Sequence, residues 1–115
     1  MEDYIDLSGD GGVLKKIVKE GNGVSPKLGS TVFLYYAGRL EDGTEFDKTD
    51  DDPFYFKLGG GEVIEGWDIC VASMTIGEEC ECFLNSKYAY GSSGAGDVIK
   101  PNSNLIFKMN LLKSK

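Results

Sequence analysis

Apolar and polar residues alternate along most of this chain, and a period of two is typical of β-strands with one buried face. In the last such stretch Leu105, Phe107 and Met109 alternate with Ile106 and Lys108. The pattern predicts strands over residues 13–20, 31–40, 44–47, 54–58, 78–84 and 104–112. In the first of these strands the lysines are expected on the solvent-facing side. Glu41-Asp42-Gly43 predicts a hairpin turn, because Asp-Gly tolerates the positive φ that such turns need.

One segment, from Gly61 to Met74, has a helical period instead. Ile64, Trp67, Val71 and Met74 are three or four residues apart and therefore share one helix face. A helix of about ten residues cannot cover itself, so this face must lie on a sheet. The expected fold class is α+β, with a curved antiparallel sheet of about five strands wrapped around one short helix.

The length of 115 residues corresponds to one domain. Residues 1–12 are acidic and rich in glycine, which predicts a flexible N-terminal arm. The folded domain is then expected to span residues 13–115.

The net charge of −7, with no histidine, narrows the function classes. An acidic chain without basic clusters is a poor ligand for nucleic acid or for anionic membranes. No apolar run has the length of a membrane span, and residues 1–12 are too polar for a signal peptide. We therefore expect a cytoplasmic protein that binds neither nucleic acid nor membrane.

The three cysteines, Cys70, Cys80 and Cys82, do not form the even set of a disulfide framework. We interpret them as small core residues of a reducing compartment. The alternative is a redox or metal protein that uses Cys80 and Cys82. The carboxylates of Asp50, Asp51 and Asp52 lack the spacing of a calcium loop and are interpreted as a solvated acidic loop. The expectation is a protein without a metal or cofactor.

A chain without histidine has no Ser-His or Cys-His dyad and no histidine-ligated metal. The Gly-x-Gly at Gly59 and Gly61 is not a dinucleotide fingerprint, because Ile64 stands at the third glycine position. Aromatic residues are the remaining candidates for a functional site. They are either core residues or the walls of a concave apolar site: Tyr36, Phe46, Phe54, Phe56, Trp67, Tyr88, Tyr90 and Phe107.

Seven short motifs occur along the chain in an order that closely resembles the FKBP-type (tacrolimus-binding) peptidyl-prolyl cis-trans isomerases. The match covers about residues 13–112, and the opening residues 5–14 further resemble the first domain of the large multidomain members. The motifs are Leu34-Tyr35-Tyr36-Ala37-Gly38, Leu40-Glu41-Asp42-Gly43, Phe46-Asp47, Pro53-Phe54-Tyr55-Phe56, Glu62-Val63-Ile64-Glu65-Gly66-Trp67-Asp68, Tyr88-Ala89-Tyr90-Gly91 and Ile99-Lys100-Pro101-Asn102.

The resemblance implies an enzyme that rotates Xaa-Pro peptide bonds in an apolar pocket floored by Trp67. It implies that the Ile64 amide and the Tyr90 hydroxyl hydrogen-bond carbonyl groups of substrate or drug. It assigns catalytic roles to Tyr36, Asp47, Ile64, Trp67, Tyr90 and Phe107. Substrate and drug contacts are assigned to Phe46, Phe56, Glu62, Val63 and Ile99.

The implied partners are Xaa-Pro-containing polypeptides and macrolides of the tacrolimus and rapamycin type. A heat-shock chaperone would bind through regions outside this chain, and we expect a monomer. The sequence departs from the family pattern at the rim, where the loop between Asp47 and Pro53 is short and contains aspartates in place of an arginine. Ala95 and Lys100 also differ from the family pattern, at positions of histidine and proline. A non-catalytic proline-binding or chaperone-docking module on the same fold therefore stays open as the alternative.

Overall fold

The computed structural model describes residues 3–115, in which seven β-strands, one α-helix and two short 3₁₀-helices occur. The strands are β1 (Ile5–Asp6), β2 (Val13–Lys19), β3 (Thr31–Leu40), β4 (Glu45–Lys48), β5 (Phe54–Lys57), β6 (Glu79–Leu84) and β7 (Leu105–Ser114). The helix α1 spans Glu65–Ala72, and the 3₁₀-helices span Ser86–Tyr88 and Gly91–Ser93.

All strand pairs are antiparallel, in the order β1-β2-β6-β7-β3-β4, and the sheet is open. The strand β3 is ten residues long and pairs with two short strands along one of its edges. Residues 37–39 of β3 pair with β4, and residues 31–34 pair with β5. The predicted α+β fold is confirmed, but the sheet has seven strands rather than about five. Among the strands of residues 3–115, the two-residue β1 is the one that the alternating pattern did not predict.

The alternation of residue types sorts the side chains between the two faces of the sheet as predicted. On β6, Cys80, Cys82 and Leu84 are buried, whereas Glu79 and Glu81 on the other face are partly exposed. The hairpin at Asp42-Gly43 also forms. Gly43 has φ +93° and donates its N–H to the Leu40 carbonyl at 2.9 Å.

The helix α1 is eight residues long and begins immediately after Ile64, which has extended backbone angles. Trp67, Cys70 and Val71 on its inner face are buried. The helix lies very close to the sheet, because a Cβ atom on Gly66 would stand 2.5 Å from a methyl group of Leu84. Within residues 3–115 no helix is long and apolar enough to span a bilayer.

The three cysteines are free and buried. Cys70 on α1 faces Cys80 on β6, with 3.9 Å between the two sulfur atoms. The hydrogen bond with the Cys70 thiol, followed by burial, raises the pKa of Cys80 far above its ordinary value. Because a thiolate is the reactive form of cysteine, the Cys80 thiol is a poor nucleophile in the folded protein.

Lys15 on β2 corrects the expectation that the lysines of this strand face solvent. The side chain is buried and its Nζ lies 2.9 Å from the Glu78 carboxylate, which is also buried. Lys15 Nζ also donates to the Ser73 carbonyl at 3.2 Å, at the C-terminal end of α1. A buried ammonium needs such partners, because an unpaired charge in the core is very costly.

The segment predicted as a flexible arm makes specific contacts. Residues 5–6 form β1 against β2, and the Tyr4 hydroxyl donates to the Glu81 carboxylate at 2.7 Å. Met1 and Glu2, which begin the predicted arm, lie outside the described residues. The flexibility of residues 3–12 stays a prediction.

Candidate active site

A concave cavity of about 220 Å³ lies between the N-terminal end of α1 and the strands β3, β4, β5 and β7. Its lining is mostly aromatic and aliphatic, with two carboxylates. The lining residues are Tyr36, Phe46, Asp47, Phe54, Glu62, Val63, Ile64, Trp67, Tyr90 and Phe107.

Trp67 forms the floor of this cavity and is 5% exposed. Three rings meet the indole edge-on. Tyr36 is at a centroid distance of 4.7 Å, Phe107 at 5.2 Å and Phe54 at 5.7 Å, with interplanar angles of 78° to 89°. Edge-to-face pairs of this kind stabilise a fixed arrangement of rings beyond the area they bury. The floor is therefore a rigid apolar surface.

The indole nitrogen of Trp67 is buried and has no hydrogen-bond partner within residues 3–115. A buried donor without an acceptor destabilises the folded state. Native proteins keep few such groups, and a concave site is one place where they persist. The unpaired indole N–H of Trp67 therefore distinguishes the floor of this cavity from an ordinary hydrophobic core.

Gly38 on β3 explains how the walls approach the floor so closely. A Cβ atom on this buried glycine would stand 2.6 Å from Phe107 Cε1 and 2.7 Å from Phe46 Cζ. Phe46 and Phe107 in turn form an edge-to-face pair at 5.7 Å. The missing side chain of Gly38 leaves the space that these two rings fill.

The rim opposite the helix is held by a hydrogen bond between Tyr36 and Asp47. The Tyr36 hydroxyl donates to Asp47 Oδ2 at 2.5 Å. Burial, followed by the Asp47 carboxylate, raises the pKa of Tyr36 above its usual value. The hydroxyl therefore remains a proton donor throughout the neutral range.

The remaining rim residues offer polar groups toward solvent. The Glu62 carboxylate accepts from Lys57 N at 2.9 Å, which ties the loop before α1 to the end of β5. The Ile64 N–H and the Tyr90 hydroxyl donate to no acceptor within residues 3–115. Tyr90 is 40% exposed. Both groups are available to a bound molecule.

Nine of the eleven residues that the sequence predicted for the site line this cavity. Phe56 and Ile99 do not. Phe56 is buried beside Trp67 at a centroid distance of 5.9 Å, and Ile99 is buried where its backbone pairs with Ala95. Phe54 lines the cavity although it was not assigned to the site. The alternation on β5 placed Phe54 and Phe56 on the same face, which was the available signal.

The acidic loop beside Asp47 is exposed. Asp50, Asp51 and Asp52 form no ion pair within residues 3–115. The Tyr35 hydroxyl donates to the Asp51 carbonyl at 3.2 Å. No group of three or more Asp, Glu, Cys or His side chains in the described part of the chain has a metal-binding arrangement.

A larger cavity of about 500 Å³ lies on the outer face of the sheet. It is bordered by Val18 and by side chains such as Glu79, Glu81 and Lys108. Glu81 is already bound by Tyr4 and by Arg39 at 3.3 Å. Size alone does not identify a site, and the smaller cavity holds the converging aromatic rings and free polar groups.

Comparison with known proteins identifies the family that this chain belongs to. The family described as "FKBP-type peptidyl-prolyl cis-trans isomerase" matches residues 23–112. Among curated proteins, FK506-binding protein 59 of Drosophila melanogaster is 51% identical over 94% of this chain and 25% of its own length. Human peptidyl-prolyl cis-trans isomerase FKBP4 is 48% identical over 92% of this chain and 24% of its own length. The chain thus spans about a quarter of the length of these two relatives.

A relative of similar length and a solved structure agree with this. FK506-binding protein 1 of Dictyostelium discoideum is 45% identical over 90% of this chain and 99% of its own length. The crystal structure of a peptidyl-prolyl cis-trans isomerase from Pseudomonas syringae superposes with a TM-score of 0.90 at 33% identity. That match covers 100% of this chain and 83% of the other. The chain belongs to the FKBP-type peptidyl-prolyl cis-trans isomerase family.

Proposed function

We propose that this domain catalyses cis/trans rotation about Xaa-Pro peptide bonds in the aromatic cavity above Trp67. The observation that carries the proposal is the rigid apolar floor with unused polar groups at its rim. Three rings fix Trp67, and the Ile64 N–H and Tyr90 hydroxyl have no partner within residues 3–115. This arrangement is suited to binding a proline ring and orienting the carbonyl groups next to it.

The barrier to rotation is about 18–20 kcal/mol, because twisting the peptide bond breaks amide resonance. Resonance places negative charge on oxygen and positive charge on nitrogen, and water stabilises that planar, polar form. An apolar pocket stabilises this planar form less than water does. The twisted form, in which the C–N bond is nearly single, loses less stabilisation when it leaves water. A ten-thousand-fold acceleration requires only about 5.5 kcal/mol of this differential effect.

Each rim group has a distinct role in this mechanism. The Ile64 N–H and the Tyr90 hydroxyl donate to substrate carbonyls and fix the peptide on either side of the rotating bond. The Tyr36 hydroxyl stays bound to Asp47, so that Asp47 acts as an acceptor at the rim and not as a general base. No bond is made or broken, and a site without histidine is sufficient.

Macrolides of the tacrolimus and rapamycin type are proposed to bind in the same cavity. The names of two relatives, FK506-binding protein 59 and FK506-binding protein 1, record FK506 binding for those proteins. A ligand of this kind would place an apolar ring on Trp67 and carbonyl groups near Ile64 and Tyr90. Phe56 and Ile99 would contribute from behind the wall rather than from the lining.

Turnover of a peptide containing an Xaa-Pro bond, measured with and without tacrolimus, tests this proposal. We expect catalysed isomerisation that tacrolimus inhibits. The matched control is Tyr55→Phe, because Tyr55 is exposed on β5 and does not line the cavity. Binding of the drug without any turnover would favour the alternative function, a non-catalytic proline-binding or chaperone-docking module. The altered rim at Asp50 to Asp52 is the observation that favours that alternative.

The setting proposed for this activity is protein folding in the cytoplasm, with a monomeric domain acting on Xaa-Pro-containing polypeptides. The three buried, reduced cysteines agree with a reducing compartment. Chaperone binding, if the domain is part of a longer protein, would use regions outside this chain.

A further inference from the structure

Residues 8–12, here called the N-terminal clasp, form a tight turn around the carboxylate of Asp10. Asp10 Oδ1 accepts from Ser8 Oγ at 2.7 Å and from Gly12 N at 2.9 Å. Ser8 Oγ itself accepts from Val13 N at 2.9 Å, at the start of β2. One oxygen of Asp10 is thus used to close the turn onto the sheet.

The second oxygen of Asp10 reaches across to the 3₁₀-helix Ser86–Tyr88. Asp10 Oδ2 accepts from Lys87 Nζ at 2.9 Å and from the Tyr88 hydroxyl at 2.8 Å. The Gly12 carbonyl also accepts from Asn85 N at 2.8 Å. The clasp therefore holds this 3₁₀-helix by three hydrogen bonds, which join residues far apart in the sequence.

The fit between the clasp and Tyr88 is close. A Cβ atom on the buried Gly12 would stand 2.2 Å from the Tyr88 ring, so only glycine allows this approach. Gly9 and Gly11 have φ of +83° and +77°, and both donate their N–H groups to the Asp6 carboxylate. In this turn conformation the Asp10 side chain reaches the Tyr88 hydroxyl.

The ionisation states of Asp10, Lys87 and Tyr88 favour this contact at neutral pH. Hydrogen bonds from Ser8, from Lys87 and from Tyr88 hold the pKa of Asp10 well below its usual range. The Asp10 carboxylate in turn raises the pKa of Lys87 and of Tyr88. The carboxylate is therefore ionised, and its donors are protonated, through the whole neutral range.

The loop held in this way leads directly to Tyr90. Tyr90 immediately precedes the second 3₁₀-helix, and its carbonyl accepts from Gly94 N at 3.2 Å. Its hydroxyl donates to no acceptor within residues 3–115, so no hydrogen bond of the side chain fixes its direction. The position of Tyr90 is set by its backbone, which is continuous with the clasped 3₁₀-helix two residues earlier.

We propose that Asp10 is a positioning residue for the pocket: it fixes the loop that carries Tyr90 and so determines how Tyr90 meets the substrate. Asp10 lies in the N-terminal turn and lines neither cavity. This inference rests on the isomerase function proposed above, in which Tyr90 binds a substrate carbonyl.

A double-mutant cycle tests whether Asp10 acts through Tyr90. Asp10→Asn keeps the shape of the side chain and removes the charge that Lys87 and Tyr88 bind. We expect Asp10→Asn to lower kcat/KM about fivefold, mainly through KM, because a small displacement costs less than the hundredfold that 1 Å can cost. In a Tyr90→Phe background the same change should cause no further loss. Glu20→Gln, an exposed carboxylate outside the clasp, is the matched control and should change nothing.

Equal losses from Asp10→Asn in both backgrounds would overturn the proposal, because Asp10 would then act through general stability. Unchanged kcat/KM in Asp10→Asn would overturn it too. So would full activity of Tyr90→Phe, because Tyr90 would then have no role for the clasp to support. Asp10→Glu, which keeps the charge, should recover part of the activity.

Amide hydrogen exchange gives a readout that does not depend on turnover. In Asp10→Asn, the amides of Ala89 and Gly94 should exchange faster, because the loop opens more often. The Leu111 amide, bound to Glu78 O in the core, should be unchanged. If the wild-type domain shows no turnover, the isomerase function fails, and exchange alone decides whether Asp10 orders the Tyr90 loop. Unchanged exchange at Ala89 and Gly94 would overturn the positioning role.

Gly12→Ala is a second variant that leaves every charge in place. Its new Cβ atom would displace the Tyr88 ring or the clasp. We expect the same faster exchange at Ala89 and Gly94 as in Asp10→Asn. Normal exchange at both amides in Gly12→Ala would contradict the proposal, since the contact would then be unnecessary for loop order.

Discussion

The floor and the rim of the aromatic cavity are held in place by different means. Trp67 in the floor is surrounded by Tyr36, Phe54, Phe56 and Phe107, with centroid distances from 4.7 to 5.9 Å. The rim loop that follows β4 is exposed and rests on a few hydrogen bonds. Thr49 N donates to the Tyr36 carbonyl at 2.9 Å, the main backbone tie of this loop.

This difference determines what each region tolerates. A buried ring packed at native density cannot change without creating a cavity or a clash. An exposed loop with few contacts changes its charge at little cost in stability. Floor variants should therefore lower both stability and activity, and rim variants should alter substrate preference.

The largest effect is expected at Trp67. Trp67→Ala should cost roughly 3–5 kcal/mol of unfolding free energy, because a large buried ring leaves a cavity. It should also abolish most macrolide affinity. Trp67→Leu should fold better and still bind weakly. Chemical denaturation and drug titration measure both, and tight binding by a folded Trp67→Ala protein would disprove the assignment of the floor.

Gly38→Ala tests the walls without removing any group. The added methyl would meet Phe107 and Phe46 at less than 3 Å, so one of these rings must move. Overpacking of this kind costs about 1–3 kcal/mol. We expect a lower thermal midpoint together with weaker drug binding. Gly60→Ala is a milder control, because its Cβ would meet only Lys57 at 3.3 Å or more. Equal effects in the two variants would contradict the special role of Gly38.

Tyr36→Phe separates the ring, which belongs to the floor, from the hydroxyl, which belongs to the rim. The lost hydrogen bond to a carboxylate is screened by solvent at the exposed Asp47. We expect about a two- to fivefold loss in kcat/KM. Burial and Asp47 raise the pKa of Tyr36 in the folded protein. The hydrogen bond from the Tyr36 hydroxyl is therefore fully present below the pKa of an unfolded-state tyrosine, about 10, and is lost only as pH rises through the higher pKa of the folded state.

The wild-type rate should therefore be flat from about pH 6 to pH 9, since this chain has no histidine to titrate there. A pH–rate profile of kcat/KM for wild type and Tyr36→Phe checks this. A sigmoidal profile centred in that range, present in the wild type and absent in Tyr36→Phe, would show that the Tyr36 hydroxyl titrates and would contradict the structure.

The smallest effect is expected from the acidic loop. Asp50, Asp51 and Asp52 are exposed and raise the negative potential beside the cavity, an effect that salt weakens. Peptides with acidic residues next to proline should be turned over more slowly than neutral ones, and the gap should shrink at high salt. Asp50→Asn, Asp51→Asn and Asp52→Asn together should shrink it as well. Matched peptides at two salt concentrations provide the measurement, and a gap insensitive to both changes would refute the electrostatic explanation.

Much of the fold followed from the sequence because its signals are local. Alternation assigned Cys80, Cys82 and Leu84 to the buried face of β6, and the Asp-Gly pair set the hairpin. The helical period located α1 and its buried Trp67. The seven motifs in register indicated the family, which the comparisons confirmed. A period of two or 3.6 residues fixes which side chains share a face, and the sequence therefore determined the elements and their inner surfaces.

The tertiary structure decided the contacts between residues distant in sequence. Lys15 is buried because Glu78, 63 residues away, supplies the opposite charge. Phe54 lines the cavity, whereas Phe56 on the same face of β5 is buried beside Trp67 and does not line it. The clasp on Tyr88 joins groups 78 residues apart, with Asp10 as the acceptor. No local period encodes such distances, because they arise only when the separate elements pack into one core.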